Sequence, residues 1–288
     1  MAARTVRPRR IASCDHLMMH STTIVLDTAA FGSRPDLQRL PASESVRDAW
    51  LTAVVLGGQG YYSRARTALD VVDRRTRQIG DGVGASLSAS TRASFLRQTG
   101  WHAAASAHDG RALALLGGLP SAPEVRAARC DALTGLAADA LGCGRLRLGR
   151  RLLERCADEV DRVDADLVWR QSIRLSWVSA ELSLASGDAE RATGHAERAA
   201  LLASRGSSVR HQVKSDLLRS AALTGKDSGD AVVLAKDVFE RSRRLGLEPL
   251  AWAASMLVEG VSGVPTAPDS SELERRIVDR GGALRSTW

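Results

Sequence analysis

Four glycines, Gly60, Gly100, Gly144 and Gly187, close helix-like stretches at separations of 40, 44 and 43 residues, and each has the same surroundings. Seven residues before them stand Ala53, Ala93, Ala137 and Ala180; five after stand Ala65, Ala105, Gly149 and Ala192; twelve after stand Val72, Ala112, Cys156 and Ala199. Two antiparallel helices need this arrangement. Their backbones approach closely only where side chains are small, and the turn between them needs a residue that tolerates positive φ. Aromatic residues make up only 4% of the chain, while Ala and Leu dominate its apolar set, as suits packed helices better than sheets. The expectation is an all-α protein of helical hairpins.

The spacing predicts hairpins of 45–58 with 61–76, 87–99 with 101–116, 122–141 with 145–160, and 165–185 with 188–204. A less regular fifth pairs 207–224 with 230–245 across a turn from Gly225 to Gly229, and a helix over 248–260 covers it. Ser45 with Asp48 and Ser121 with Glu124 have the spacing of N-terminal capping pairs, and Ser271 with Glu274 could open a short last helix ending near residue 280.

The stretch from Glu181 through Gly187 and Ala192 to Ala196 and Ala199 resembles a tetratricopeptide repeat, and Gly60-Tyr61-Tyr62-Ser63-Arg64-Ala65 fits the same pattern. The resemblance covers residues 45–245, with a repeat longer than the family's usual one, as in the helical domains of some bacterial regulators. It implies a TPR-like, right-handed α-solenoid of about five antiparallel hairpins, in which the first helix of each hairpin lines a concave groove that takes peptides or helices. The expected organisation is a flexible tail over 1–40, a repeat domain over 41–262 and a C-terminal tail with a short helix over 263–288. Within the first segment Ser21–Phe31 contains a short β-like run, and Met18 and Met19 offer an alternative start that would remove the Arg-rich leader.

The formal charge of +7 does not by itself point to nucleic acid. Arg4, Arg7, Arg9 and Arg10 against Asp15 put +3 in the first 20 residues and leave +4 for the rest. The basic residues are almost all Arg, with Lys only at 214, 226 and 236, and there is no Asn; that is the composition of a GC-rich genome. No apolar run reaches the ~18 residues of a membrane span, Cys14-Asp15-His16 interrupts what would be a signal-peptide core, and the cytoplasm is the expected compartment.

Catalytic signatures are missing. Gly80, Gly82 and Gly84 lack the strand–turn–helix setting of a dinucleotide site and read as a linker, and Gly225-Lys226 lacks the rest of a phosphate loop. Cys14, His16 and His20 could supply three metal ligands but have no fourth nearby; the remaining histidines are dispersed, His102 taking the packing slot of Tyr62. Cys130, Cys143 and Cys156 fall in helical patterns and read as small hydrophobes. No catalytic residue, metal or cofactor is expected.

The inner stripe is more informative. Arg170, Arg174, Trp177 and Glu181 follow one another at spacings of 4, 3 and 4, on one helix face. Aligned on the turn glycines, Arg47 and Trp50, Arg97 and Gln98, and Ser215 and Arg219 take comparable positions. Trp and Arg offer large contact area with a polar handle and recur at binding hot spots. The expectation is an adaptor or regulatory protein that binds another protein's segment, acidic or C-terminal, in its groove. The rivals are the sensing module of a transcriptional regulator and a nucleic-acid-binding solenoid using dispersed Arg. Without Asn the chain lacks the carboxylate clamp of chaperone-binding TPR domains.

Overall fold

The computed structural model describes residues 14–285, with side chains from residue 22 onward. The described residues form thirteen α-helices and no strand. They are α1 (Cys14–Phe31), α2 (Val46–Gly58), α3 (Tyr62–Ile79), α4 (Gly82–Gln98), α5 (His102–Leu115), α6 (Pro123–Gly142) and α7 (Leu146–Val160). They continue with α8 (Trp169–Ala185), α9 (Ala189–Ser204), α10 (Val209–Leu223), α11 (Ser228–Arg244), α12 (Glu248–Ser262) and α13 (Ser270–Asp279). Helices adjacent in the chain pack against each other, and a second row of contacts links α2 to α4, α6, α8, α10 and α12 in turn. The even-numbered helices are therefore the inner layer.

The turn glycines behave as their spacing predicts. Gly60, Gly100, Gly144 and Gly187 have φ of +82°, +87°, +72° and +74°, a region that costs an L-residue about 1–2 kcal/mol. The small residues at the three offsets meet at the helix crossings. All of those alanines, with Val72 and Cys156, are wholly buried, and Gly149 is buried beside them.

Local signals elsewhere are corrected. Ser21–Phe31 lies in helix α1, not in a β-like run. Leu26, Ala29 and Ala30 are buried at helical spacing against α2, and that burial outweighs the strand preference of Thr22 to Val25. Residues 1–13 of the expected tail lie outside the described residues. The Gly80–Gly84 stretch is no free linker: Gly80 caps α3 at φ +70°, and the Asp81 carboxylate accepts from Gly84 N–H at 2.8 Å to open α4. The Ser45–Asp48 capping box is present. Helix α6, by contrast, starts on Ala122-Pro123 without a side-chain cap, so Ser121 and Glu124 form no box there, and Asp269 rather than Ser271 caps α13.

The end of the chain returns to its beginning. Ser63 N–H donates to Arg280 O at 3.0 Å, Trp101 Nε1 to Ala283 O at 2.6 Å, and Arg285 N–H to Thr99 O at 2.9 Å. Arg280 itself donates to Gln59 O at 3.0 Å, with its guanidinium 4.4 Å from the centre of the Tyr61 ring. This seam joins residues 280–285 to the first two helix turns and closes the inner layer upon itself. Among the described residues no helix is long and apolar enough to cross a membrane.

Candidate functional site

The inner layer lines a half-open cavity of about 560 Å³, walled by side chains from α2, α4, α6, α8, α10 and α12. Phe31, at the end of α1, reaches into it. Its ring centre is 5.6 Å from Trp50, 6.4 Å from Trp169 and 6.1 Å from His211, so one aromatic side chain ties α1 to α2, α8 and α10. Trp177 stacks on His211 at 5.2 Å and donates its indole N–H to Ser215 Oγ at 2.9 Å. Trp50 donates to Thr91 Oγ1, also at 2.9 Å. Such ring contacts are worth ~0.5–1.5 kcal/mol beyond their buried area. They hold the walls in fixed positions.

The charges of the walls form two compensated clusters. On one side, Arg97 of α4 meets Asp109 of α5 at 3.0 Å and Asp139 of α6 at 2.5 Å, and also donates to Gly135 O at 3.0 Å. Burial pushes the Asp109 carboxyl up to about 6, with Asp139 adding to the rise and Arg97 opposing it. On the other side, Asp131 of α6 accepts from Arg170 at 2.9 and 2.5 Å, from Gln171 at 3.1 Å, and from Arg174. Burial raises the Asp131 carboxyl, but the two guanidiniums outweigh it and hold the group below the ordinary carboxylate range. Buried ions need such partners, because desolvation costs several kcal/mol per charge.

Two further cations stand on α10. Lys214 Nζ lies 4.7 Å from the centre of the Trp177 ring, and the Glu181 carboxylate in the same wall favours its charge. Burial nonetheless lowers the Lys214 pKa, with Arg174, Arg97 and Arg210 contributing. Arg210 donates Nη1 to Val54 O at 3.2 Å and stands over Phe31 at 5.8 Å. Burial and repulsion from Arg170 and Arg174 lower its pKa to about 10. His211, wholly inside, sits well below the ordinary imidazole range through burial and these same cations, so its ring is neutral; its Nδ1 is 2.7 Å from Ser208 Oγ.

The structure places the residues singled out from the sequence in two groups. Trp50, Arg97, Gln98, Arg170, Arg174, Trp177 and Glu181 all line the cavity. Arg47 lies outside, paired with Asp27 at 2.8 Å; Ser215 is buried behind Trp177; Arg219 bonds Glu197 and Asp216 away from the cavity. Arg174 is not an exposed surface residue but a partner of buried Asp131.

Phe31, Arg210, His211, Lys214 and Trp252 also line the cavity and were missed. Arg210 and Lys214 share one helix face, a signal obscured because the turn after α10 lacks a positive-φ glycine to set the alignment. Gly57-Gly58 is a second signal. A Cβ on Gly58 would stand 2.9 Å from Arg210 Nη1, so the glycine leaves room for the guanidinium.

Among the described residues no His, Cys, Asp and Glu side chains cluster as a metal site; Cys14, His16 and His20 precede the described side chains. Cys130 and Cys156 face each other across α6 and α7 as buried free thiols. No family model matches the chain, and no curated protein matches its sequence.

Proposed function

We propose that the chain is a non-catalytic binding module built of TPR-like helical repeats, acting as an adaptor or regulatory protein whose inner face takes an acidic segment of another protein. The observation that carries this reading is the cavity itself. Five basic side chains, Arg97, Arg170, Arg174, Arg210 and Lys214, converge on an aromatic-walled space against a single lining carboxylate, Glu181. Asp109, Asp131 and Asp139 behind the walls compensate Arg97, Arg170 and Arg174, so the net field is set by Arg210 and Lys214 against Glu181 and attracts negative charge. A volume of about 560 Å³ suits a short segment or chain terminus rather than a long helix.

A cavity within the ~300–1,000 Å³ of small-molecule sites also suits a second reading, the ligand-sensing part of a regulator. Nucleic acid is disfavoured, because the gathered cations face the cavity and most are already paired with Asp109, Asp131 and Asp139 rather than striped along an outer surface.

Titration of fluorescein-labelled acidic, neutral and basic hexapeptides of matched apolar content, read by anisotropy, tests the proposal. Acidic peptides should bind at least ten times tighter, and Lys214→Glu should remove the preference. Equal affinity across the three charge classes would overturn it.

A further inference from the structure

We propose that the cavity holds an organic carboxylate carried on an apolar body, with Arg210 as its counter-ion and the rings of Phe31, Trp50 and Trp177 as the walls for that body. The proposal rests on the binding-module reading and specifies its ligand.

Charge accounting within the walls leads to Arg210. Arg97 has Asp109 and Asp139; Arg170 and Arg174 share Asp131; Lys214 feels Glu181. Arg210 alone of the five has no carboxylate among the described residues, and the charges it feels are the cations Arg170 and Arg174. A guanidinium presents five N–H donors, and Arg210 places one of them, on Val54 O. A half-buried cation without a counter-ion loses part of its hydration when the cavity is empty and gains a partner once an anion enters. The five cations and the four acids around them, Asp109, Asp131, Asp139 and Glu181, leave an excess of one positive charge, which a monoanion matches.

A second, independent observation concerns donors. Trp252 Nε1 and Arg97 Nη2 are buried without an acceptor, and both residues line this same cavity. Buried N–H groups are normally paired; Arg97 Nη2 stands beside the unpaired oxygens of its own partners Asp109 and Asp139, which leaves Trp252 Nε1 as the donor of this wall without a neighbouring acceptor. The apolar part of the ligand follows from the walls, where flat rings offer stacking area at low entropic cost. Phe31 and Trp50 also lie 5.3 and 5.7 Å from the Arg170 guanidinium, so an aromatic body here would extend an existing cation–π stack.

The carboxylate can come from a free small acid or from the C-terminus of a peptide. Isothermal titration with 3-phenylpropionate, its neutral amide, and the tripeptide Gly-Gly-Phe with a free or an amidated C-terminus separates these sources. In the native chain at least one acid should bind ten-fold or more tighter than its amide. Arg210→Met should erase that difference and leave amide binding unchanged, whereas Arg210→Lys should retain most of it. Because the charge is unpaired, Arg210→Met should leave the melting temperature of the empty protein equal to the native value or higher. Comparable affinity of acid and amide, or full acid binding by Arg210→Met, would overturn the anion assignment while the binding-module reading stood. Binding of none of the four probes would count against both. Lower melting temperatures in Arg210→Met and Arg210→Lys alike would show Arg210 to be a structural brace and overturn the proposal. Preference for the free-ended tripeptide over 3-phenylpropionate would identify a protein terminus as the source, and the reverse a small metabolite.

Discussion

Asp131 supports more of the inner layer than any other single carboxylate, and replacing it with Asn tests the electrostatic account directly. Only 2% of its side chain is exposed, and both oxygens are used: two contacts from Arg170, one from Arg174 and one from Gln171. Asn keeps the volume but removes the charge and turns one acceptor into a donor, aimed at guanidinium N–H groups. Arg170 and Arg174 are then left side by side without a counter-ion. Breaking a buried pair by removing one partner costs ~3–5 kcal/mol, and this change strands two cations. Arg174→Met is milder. It leaves Asp131 with bidentate Arg170 and with Gln171, so its cost should stay near that of one charge-assisted hydrogen bond, ~1.5–3 kcal/mol. Arg219→Ala, on the outer surface, should stay within about ±0.5 kcal/mol. Urea unfolding followed by far-UV circular dichroism measures all three. Because the folded-state pKa of Asp131 is depressed, its contribution is present above the ordinary carboxylate pKa and lost as pH falls through the folded value. The gap between native protein and Asp131→Asn should therefore narrow in acid below about pH 4. A cost below ~1 kcal/mol at neutral pH, or Arg174→Met proving worse than Asp131→Asn, would refute the reasoning.

Asp109 should show the opposite pH dependence. Its folded pKa is raised to about 6, so its contribution is present below the unfolded carboxylate pKa and lost as pH rises through 6. Asp109→Asn should gain melting temperature over the native chain as pH is raised from about 4 to 7, and parallel melting curves would contradict the shift. Ending the chain at Asp279 removes the seam's hydrogen bonds to Gln59, Ser63, Thr99 and Trp101, worth ~0.5–1.5 kcal/mol each. Thermal unfolding should then start several degrees lower; an unchanged melt would mean that the seam carries no stability.

What was legible in the sequence followed from steric demands, and what was not followed from tertiary context. Four glycines with small residues at fixed offsets located the first four hairpin turns, because a positive-φ turn and a close helix crossing accept few residue types. The stripe on α8 was legible for the same reason, since helical periodicity puts Arg170, Arg174, Trp177 and Glu181 on one face regardless of what they touch. Their partners were not. Nothing local in Asp131, some 40 residues away, says that it will lie beneath Arg170. Helix α1 was misread because Thr22 to Val25 favour a strand locally, and only Leu26, Ala29 and Ala30, judged by what they bury, argue otherwise. On α10 the alignment through Gly225 selected Ser215 and Arg219, each five residues beyond Arg210 and Lys214, the side chains that the cavity receives. That turn is made by residues 224–227 without left-handed backbone, so the glycine there marks no fixed point.

The return of residues 280–285 onto the first helix turns limits how such a chain can change in size. An open array of helical pairs lengthens or shortens by whole pairs, because each touches only its neighbours. Here an added pair would part the seam by the thickness of two helices, about 8–10 Å each, and break every bond across it. A deleted pair would drive the two ends into one another. The number of helices is thus fixed by closure, as the stave count of a barrel is fixed by its hoop, and the volume of the space inside is fixed with it. Variation in what this protein holds must come from exchanging side chains on the inner walls.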